Sequence, residues 1–155
     1  MTLKKKVCIL YTGGTIGMVP TEFGYAPKKV YFHTILSQFH QMRNPALPDW
    51  DVIEFDPLLD SSNIAVQEWN NIGRTIAKHY DEYDGFVVLH GTDTMSYTAS
   101  ALSFMLEGLN KPVIFTGAQI PLCELRSDGR DNLINSIIIA GEGHVREVCV
   151  YFGNK

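Results

Sequence analysis

Two stretches of the chain place hydroxyl side chains immediately after a short apolar run. Residues 7–11 lead into Thr12-Gly13-Gly14-Thr15-Ile16-Gly17, and residues 86–89 lead into His90-Gly91-Thr92-Asp93-Thr94. A threonine hydroxyl becomes a nucleophile when a neighbouring group can take its proton. Glycine permits positive φ and lets a ligand or a second backbone approach closely. The two motifs therefore point to nucleophilic hydroxyl chemistry.

Side chains near these motifs are able to activate a hydroxyl or to stabilise the charge that its attack creates. Asp93 beside Thr92 gives a carboxylate–hydroxyl pair. Tyr25 follows the first motif in a glycine-containing turn, and we expect it to close over the site and contact the first hydroxyl. Backbone amides of the glycine-rich loops and the polar end of Ala118-Gln119 are candidates for holding a developing oxyanion.

A phosphate-binding loop is the first alternative for the glycine-rich motif. Residues 12–17 lack the lysine and the spacing of a Walker A loop, and they read G-G-x-x-G rather than G-x-G-x-x-G. No acidic residue follows at the position that would bind a ribose. A nucleotide-binding half-domain is therefore a weaker alternative, which binding of a phosphate ligand at Gly13-Gly14 would support.

Composition narrows the classes of partner. The chain has 155 residues, 45% hydrophobic and 19% charged, which is typical of one globular domain. With 13 basic and 17 acidic residues there is no excess of positive charge for nucleic acid. No apolar stretch approaches the roughly 20 residues of a membrane span, and the short N-terminal run does not make a signal peptide. We therefore predict a cytoplasmic protein without nucleic-acid or membrane partners.

The cysteine and histidine pattern supports no metal or disulfide framework. Three cysteines, an odd number, show no metal-like spacing, and two of them, Cys8 and Cys149, sit inside apolar runs where a thiol usually packs as a small core residue. No cluster of histidine and cysteine has metal-ligand spacing. We therefore expect no metal.

The elements that must position the motifs alternate between strands and helices. Apolar runs predict strands over 6–11, 52–55, 86–89, 113–116 and 147–152. Apolar residues three and four apart predict helices over 28–42, about 65–80, 95–107 and about 128–141. This alternation predicts an α/β fold with a mainly parallel, doubly wound, three-layer αβα sheet, Rossmann-like in architecture.

A parallel sheet would bring the polar segments together. The segments that leave the carboxyl ends of four predicted strands are 12–17, 59–63, 90–94 and 116–119, and all are small, polar and rich in hydroxyls. Folds of this class bind ligands at that edge of the sheet. The sequence therefore predicts a pocket built from these segments.

Each motif also has a simpler structural interpretation. Gly13-Gly14 would turn a tight corner, and Asp93-Thr94 would cap the next helix. Ser61-Ser62-Asn63 would be another cap, and His90 would be a buried, hydrogen-bonded histidine. Independent caps have no reason to fall on one edge four times, so their convergence favours a site.

The motifs resemble those of the L-asparaginases, and specifically the cytoplasmic bacterial type I enzymes. The likeness runs over essentially the whole chain and is carried by residues 11–17 (YTGGTIG), 59–62 (LDSS), 84–95 (DGFVVLHGTDTM), 116–122 (TGAQIPL) and 124–129 (ELRSDG). The resemblance implies an amidohydrolase that converts L-asparagine and water to L-aspartate and ammonia without a metal or cofactor.

The resemblance also assigns roles to residues. It implies that Thr15 attacks the side-chain amide carbon with Tyr25 as a mobile partner, and that an acyl-enzyme forms and is released by water. It implies that Thr92 and Asp93 act as a pair, with Asp93 also receiving the substrate α-ammonium.

Substrate binding is assigned to a further group of residues. The resemblance places the substrate α-carboxylate at Ser61, flanked by Asp60 and Ser62. Ala118 and Gln119 complete the set expected to bind substrate.

The resemblance implies more than these 155 residues contain. The family has a second, smaller C-terminal α/β domain that contributes to a homo-oligomer (dimer or tetramer) and, in type I enzymes, to an allosteric asparagine site. It also has a lysine that partners Thr92 and Asp93, and Lys155 falls too early to match it. We therefore expect residues 1–155 to be the N-terminal catalytic domain of a longer enzyme, inactive alone. A natural truncation, or a non-catalytic module that binds asparagine or aspartate, is the alternative.

Overall fold

The computed structural model describes residues 4–28 and 30–155. Its strands and helices are, in chain order, β1 (Lys6–Gly13), β2 (Met18–Thr21), β3 (Gly24–Pro27), α1 (Phe32–Gln38), β4 (Asp49–Leu59), α2 (Val66–Lys78), β5 (Gly85–Leu89), α3 (Met95–Met105), β6 (Val113–Thr116), α4 (Gly129–Glu142) and β7 (Val148–Val150). Short 3-10 turns lie at Thr15–Gly17, His40–Arg43 and Ser61–Asn63.

Five strands form one parallel sheet in the order β4-β1-β5-β6-β7. Tyr11 of β1 pairs with Leu89 of β5, and Leu89 pairs with Thr116 of β6. On the other side of β1, Gly13 pairs with Leu59 at the end of β4. This register brings the carboxyl ends of four strands to the same edge, as the sequence predicts.

Helices cover both faces of the sheet, so the predicted three-layer architecture is confirmed. Within β1, Val7, Ile9 and Tyr11 pack toward α1 and α4, while Cys8 and Leu10 pack toward α2 and α3. All five side chains are fully buried. A strand with both faces buried has no polar alternation, which explains the continuous apolar runs of the sequence.

The helix predicted over 28–42 is much shorter in the structure. The α-helix covers only Phe32–Gln38, and the extended backbone of Phe39 separates it from the 3-10 turn. This break lets Met42 join the core alongside Leu36. Val30 has a positive φ of 55°, so the segment before the helix is not helical either. Lys29 lies outside the described residues.

Two other regions differ from the prediction. β4 is longer than the predicted 52–55. Parts of this edge strand are exposed and charged residues interrupt its apolar run, so the apolar pattern predicted only its middle. Residues 18–27 form an antiparallel hairpin, β2–β3, that the sequence did not predict. Each hairpin strand has only four residues, and most of them are exposed. The tip residue Phe23 is 98% exposed. Such short, exposed strands do not show the alternation of apolar and polar residues that marks a strand in a sequence.

No helix in the described part of the chain combines the length and the apolarity that a membrane crossing requires.

Candidate active site

A cavity of about 300 Å³ opens at the carboxyl edge of the sheet. The loops after β1, β4 and β5 form its floor, and the base of the hairpin forms one wall. Its lining consists of Gly14, Thr15, Met18, Pro27, Leu58, Leu59, Asp60, Ser61, Gly91, Thr92 and Asp93. Three of the four segments predicted to meet at this edge therefore meet in one cavity.

Glycines allow the three loops to touch each other directly. Gly14 has φ +88°, and a β-carbon on it would lie 2.6 Å from the backbone nitrogen of Gly91. A β-carbon on Gly13 would overlap the carbonyl oxygen of Leu59, and one on Gly91 would overlap the hydroxyl of Ser61. Positive φ and close approach both require glycine here. Turning a corner is thus only part of what Gly13 and Gly14 do.

The two threonines of the first motif have different environments. Thr12 is 1% exposed, and its hydroxyl donates to the carbonyl of Leu89 at 2.8 Å, which ties β1 to β5. Thr15 is partly exposed and lines the cavity. Within residues 4–28 and 30–155 its hydroxyl has no hydrogen-bond partner. The hydroxyl available for chemistry in this motif is therefore that of Thr15.

The second motif divides in the same way. The hydroxyl of Thr94 donates to the carbonyl of Ser61 at 2.7 Å and so fixes the β5 loop to the β4 loop. Thr92 and Asp93 line the cavity. The Asp93 carboxylate has no hydrogen bond or ion pair among the described residues. No side chain caps the start of α3, so the structure does not support the interpretation of Asp93-Thr94 as a cap.

The loop after β4 presents an ionised carboxylate. Asp60 accepts hydrogen bonds from the hydroxyl of Ser62 at 2.8 Å and from its backbone nitrogen at 3.0 Å. These bonds, the hydroxyl bond first, lower the pKa of Asp60. Ser62 is therefore turned toward Asp60 and does not line the cavity, whereas Ser61 is 6% exposed and does.

The Ser61–Asn63 turn does not cap the following helix. The helix α2 begins after Ala65, whose backbone nitrogen donates to the carboxylate of Glu68 at 2.9 Å. Asp60 caps the 3-10 turn instead, because its side chain accepts from the backbone of Ser62. The cap predicted for Ser61-Ser62-Asn63 is therefore a separate turn that holds Ser61 against the cavity.

Besides Ser62, three of the predicted site residues lie outside the cavity. Tyr25 is 50% exposed, and its hydroxyl donates to Glu124 at 2.6 Å, a bond that raises the pKa of Tyr25. Ala118 is buried in the core. The backbone nitrogen of Gln119 donates to the carboxylate of Asp128 at 3.0 Å, so this amide already has an acceptor.

His90 is a core residue. It is 1% exposed, and its Nδ1 lies 2.7 Å from the carbonyl oxygen of Gly91. Because a carbonyl only accepts, Nδ1 carries the proton of the neutral ring. Burial lowers the pKa of His90 and outweighs the bond to Gly91, which raises it, so the neutral ring is favoured. The structural interpretation of this histidine is confirmed.

Sequence reasoning missed the apolar wall of the cavity except for Leu59, which lies in the predicted segment 59–63. Met18 and Pro27 pair at the base of the hairpin, and Leu58 and Leu59 end β4. The hairpin gave no strand signal, and Leu58-Leu59 lay beyond the predicted end of the strand. The one available signal was adjacency to the polar motifs: Met18 directly follows residues 12–17, and Leu58 directly precedes the motif at 59–62.

The described residues hold no group of three or more His, Cys, Asp or Glu side chains suited to a metal ion. The polar side chains of the cavity are two hydroxyls and a carboxylate without a partner in the described part of the chain, a hydrogen-bonded carboxylate and a buried serine. Such a set suits a small zwitterion with a reactive carbonyl group.

Comparison with known proteins now assigns the class. A family model described as asparaginase, N-terminal, matches residues 6–155, and the chain belongs to the asparaginase family. The resemblance seen in the sequence is thereby confirmed.

Individual relatives agree with this assignment. The chain is 51% identical to L-asparaginase 1 of Escherichia coli K12, over 98% of this chain and 45% of that protein. It is 48% identical to L-asparaginase of Dirofilaria immitis, over 96% of this chain and 29% of that protein. The crystal structure of L-asparaginase I from Vibrio cholerae matches with a TM-score of 0.93 and 47% identity, over 99% of this chain and 46% of that one. The chain thus spans less than half the length of these relatives.

Proposed function

We propose that this chain is the nucleophile-bearing domain of an L-asparaginase, which hydrolyses L-asparagine to L-aspartate and ammonia through a threonyl acyl-enzyme. The observation that carries the proposal is the cavity itself, in a chain of the asparaginase family: the hydroxyls of Thr15 and Thr92 and the carboxylate of Asp93 line it without partners among the described residues.

In the first half-reaction the Thr15 oxygen attacks the side-chain amide carbon of asparagine. An ester bond forms and the C–N bond breaks. The hydroxyl proton ends on the leaving nitrogen, which departs as ammonia. Thr92 with Asp93, and Tyr25 once it reaches the cavity, are the groups proposed to carry that proton.

In the second half-reaction water attacks the ester carbon. The C–O bond to Thr15 breaks, aspartate leaves, and the threonine oxygen regains a proton. Backbone amides of the glycine-rich loops are proposed to stabilise the negative oxygen in both steps. The amide of Gln119 is bonded to Asp128, so its use would require that bond to break.

The site is proposed to bind both charged groups of the amino-acid substrate. Ser61 would bind the α-carboxylate and Asp93 the α-ammonium, because hydrogen bonds between oppositely charged groups are the strong ones. Asp60 stays ionised because its pKa is lowered. The wall of Leu58, Leu59 and Met18 would pack against the substrate methylene.

The remaining parts of the proposal concern the whole protein. We propose a cytoplasmic homo-oligomer, with an allosteric effector site and a lysine supplied by sequence beyond these residues. The exposed side chains of Tyr97 and Phe104 on α3 support a contact with another domain or subunit, since large exposed apolar groups mark interaction surfaces.

The test uses the full-length protein. Ammonia release from L-asparagine and calorimetry with aspartate are measured on the wild type and on Thr15→Ala. The proposal predicts turnover that Thr15→Ala abolishes, with aspartate still bound. Aspartate binding without any turnover in the wild type would instead make the protein a binding module. Ammonia release by residues 1–155 alone would show that this domain needs no further sequence.

A further inference from the structure

The hydroxyl of Tyr25 lies on a specific acceptor outside the cavity. It donates to Oε1 of Glu124, on the loop between β6 and α4, at 2.6 Å. Tyr25 does not line the cavity that contains Thr15. A phenol has one proton to donate, so its bond to Glu124 excludes a bond to any acceptor in the cavity at the same time.

Glu124 itself is firmly held. Its backbone nitrogen donates to the carbonyl of Pro121 at 3.0 Å, and its own carbonyl accepts from the guanidinium of Arg130 at 3.1 Å. That guanidinium also donates to the carbonyl of Leu122 and lies 5.1 Å from the ring centre of Phe39. The backbone that carries the acceptor side chain is therefore fixed to α4 and the core.

The hairpin, in contrast, has few hydrogen bonds to the rest of the described chain, and apart from that of Tyr25 they lie at its base. The backbone nitrogen of Leu122 donates to the carbonyl of Ile16 at 3.0 Å, and the thiol of Cys123 donates to the carbonyl of Met18 at 3.5 Å. Beyond this base, Tyr25–Glu124 is the one hydrogen bond that joins residues 19–27 to the rest of the described chain. Gly24, with φ +109°, has open space around it.

We propose that Glu124 is a positioning residue that holds Tyr25, and with it the β2–β3 hairpin, outside the cavity. It acts through Tyr25 and competes with the site for the phenol hydroxyl. The open and closed positions of the hairpin thus share one donor, and Glu124 sets the balance between them. The part of this inference that concerns catalysis rests on the proposed function; the contact that holds the hairpin does not.

Hydrogen exchange on the ligand-free, full-length protein tests the contact. Glu124→Ala should speed exchange of the amides in residues 18–27 by roughly threefold or more. Without the hydrogen bond to Glu124, the free energy needed to open the hairpin locally is lower. Tyr25→Phe should give the same increase, and the double variant no more than either single one. The control is Glu22→Ala, which removes a carboxylate from the hairpin tip that touches no described partner. Unchanged exchange in Glu124→Ala would overturn the proposal.

Ligand affinity tests the competition. Glu124→Ala should bind aspartate about two- to tenfold more tightly. In this variant no bond between Tyr25 and Glu124 stabilises the open position of the hairpin, so the closed position is more populated. Glu124→Gln keeps an acceptor oxygen and should stay nearer to the wild type. Weaker aspartate binding by Glu124→Ala would contradict the competition. A wild type that binds no aspartate would overturn the proposed function instead, while the exchange result would still decide whether Glu124 holds the hairpin.

Discussion

The two ends of the same strands treat polar side chains in opposite ways. At the amino ends, each lysine that leads into β1 reaches an aspartate at 2.6–2.8 Å; the pairs are Lys4–Asp49, Lys5–Asp84 and Lys6–Asp51. At the carboxyl ends, Thr15, Thr92 and Asp93 have no such partner among the described residues. The lysines and aspartates at the amino end are paired within the chain, whereas the carboxyl end leaves these three side chains unbonded among the described residues and lining a cavity.

This difference separates polar side chains that stabilise the fold from polar side chains that are proposed to act on a substrate. The lysine–aspartate pairs are roughly half exposed, and exposed ion pairs add little to the stability of a fold. The free groups at the other end contribute little to folding. Substitutions of the unbonded groups at the carboxyl end should therefore change chemistry, and those of the ion pairs at the amino end should change stability slightly.

The largest effect is expected for Thr15→Ala. Loss of the proposed nucleophile should lower the rate of ammonia release by roughly 10⁴-fold or more, while the melting temperature changes little because the hydroxyl has no partner among the described residues. The matched control is Thr12→Val, which removes the bond to Leu89 and should cost about 1–3 kcal/mol of stability. Retention of a tenth or more of the wild-type rate by Thr15→Ala would remove Thr15 from its role.

Asp93→Asn should come next. If Asp93 binds the substrate ammonium, aspartate affinity should fall roughly tenfold to a hundredfold, the worth of a hydrogen bond to a charged group. Turnover should slow as well, and thermal stability should stay close to that of the wild type. Calorimetry, kinetics and melting on one sample decide this. Asp131→Asn is the control, since Asp131 is an exposed carboxylate in the first turn of α4, and equal effects in both variants would reject the role of Asp93.

Gly14→Ala should break the contact between loops and so test why the carboxyl end has its shape. The positive φ and the contact with Gly91 should together cost about 2–4 kcal/mol of unfolding free energy. Gly108→Ala controls for φ alone, because Gly108 has φ +69° with open space around it, and about 1 kcal/mol is expected there. Urea unfolding measures both. Equal losses would show that the contact with Gly91 is unimportant.

The smallest effect is expected at the amino end, for Asp84→Asn. Burial alone would raise the pKa of Asp84, but hydrogen bonds from the Lys5 side chain and the Lys6 amide outweigh it and lower the pKa. The folded pKa is thus below the unfolded one, so this stabilisation is full above the unfolded pKa and disappears as the pH falls through the folded pKa. The variant should lose no more than about 1 kcal/mol at pH 7.

The same two proteins should converge in acid. Wild type and Asp84→Asn should show nearly equal unfolding free energies once the wild-type carboxyl is protonated. Unfolding curves at pH 7 and at successively lower pH measure this. A difference that stays constant through the acid range would mean that the carboxylate charge does not contribute.

The sequence predicts best where burial dictates the residues. β1, β5 and β6 are covered on both faces, so their apolar runs marked them to within two residues. Edge and hairpin strands are partly exposed, so burial does not dictate their residues. The predicted β4 was therefore too short, and the β2–β3 hairpin was missed. The helix before β4 was overextended because periodicity does not show where Phe39 turns the backbone away.

The site was predictable in its loops but less so in its contacts. The motifs around Thr15 and Thr92 follow from strand ends in a parallel sheet, and the structure brings both into one cavity. The separation of Thr12 from Thr15 depends on a carbonyl of another strand, which no local pattern reveals. In the same way, Tyr25 and Gln119 are held by Glu124 and Asp128, acceptors about ten or more positions away along the chain.

The glycine contacts of the floor have a consequence for protein engineering. Where Gly13, Gly14 and Gly91 bring backbones together, there are no side chains to redesign, so the floor offers no route to a larger or differently shaped substrate. The adjustable surface is the apolar wall that begins with Met18 and Leu58. Libraries that aim to extend the proposed activity to a longer amide should vary that wall and leave the glycines untouched.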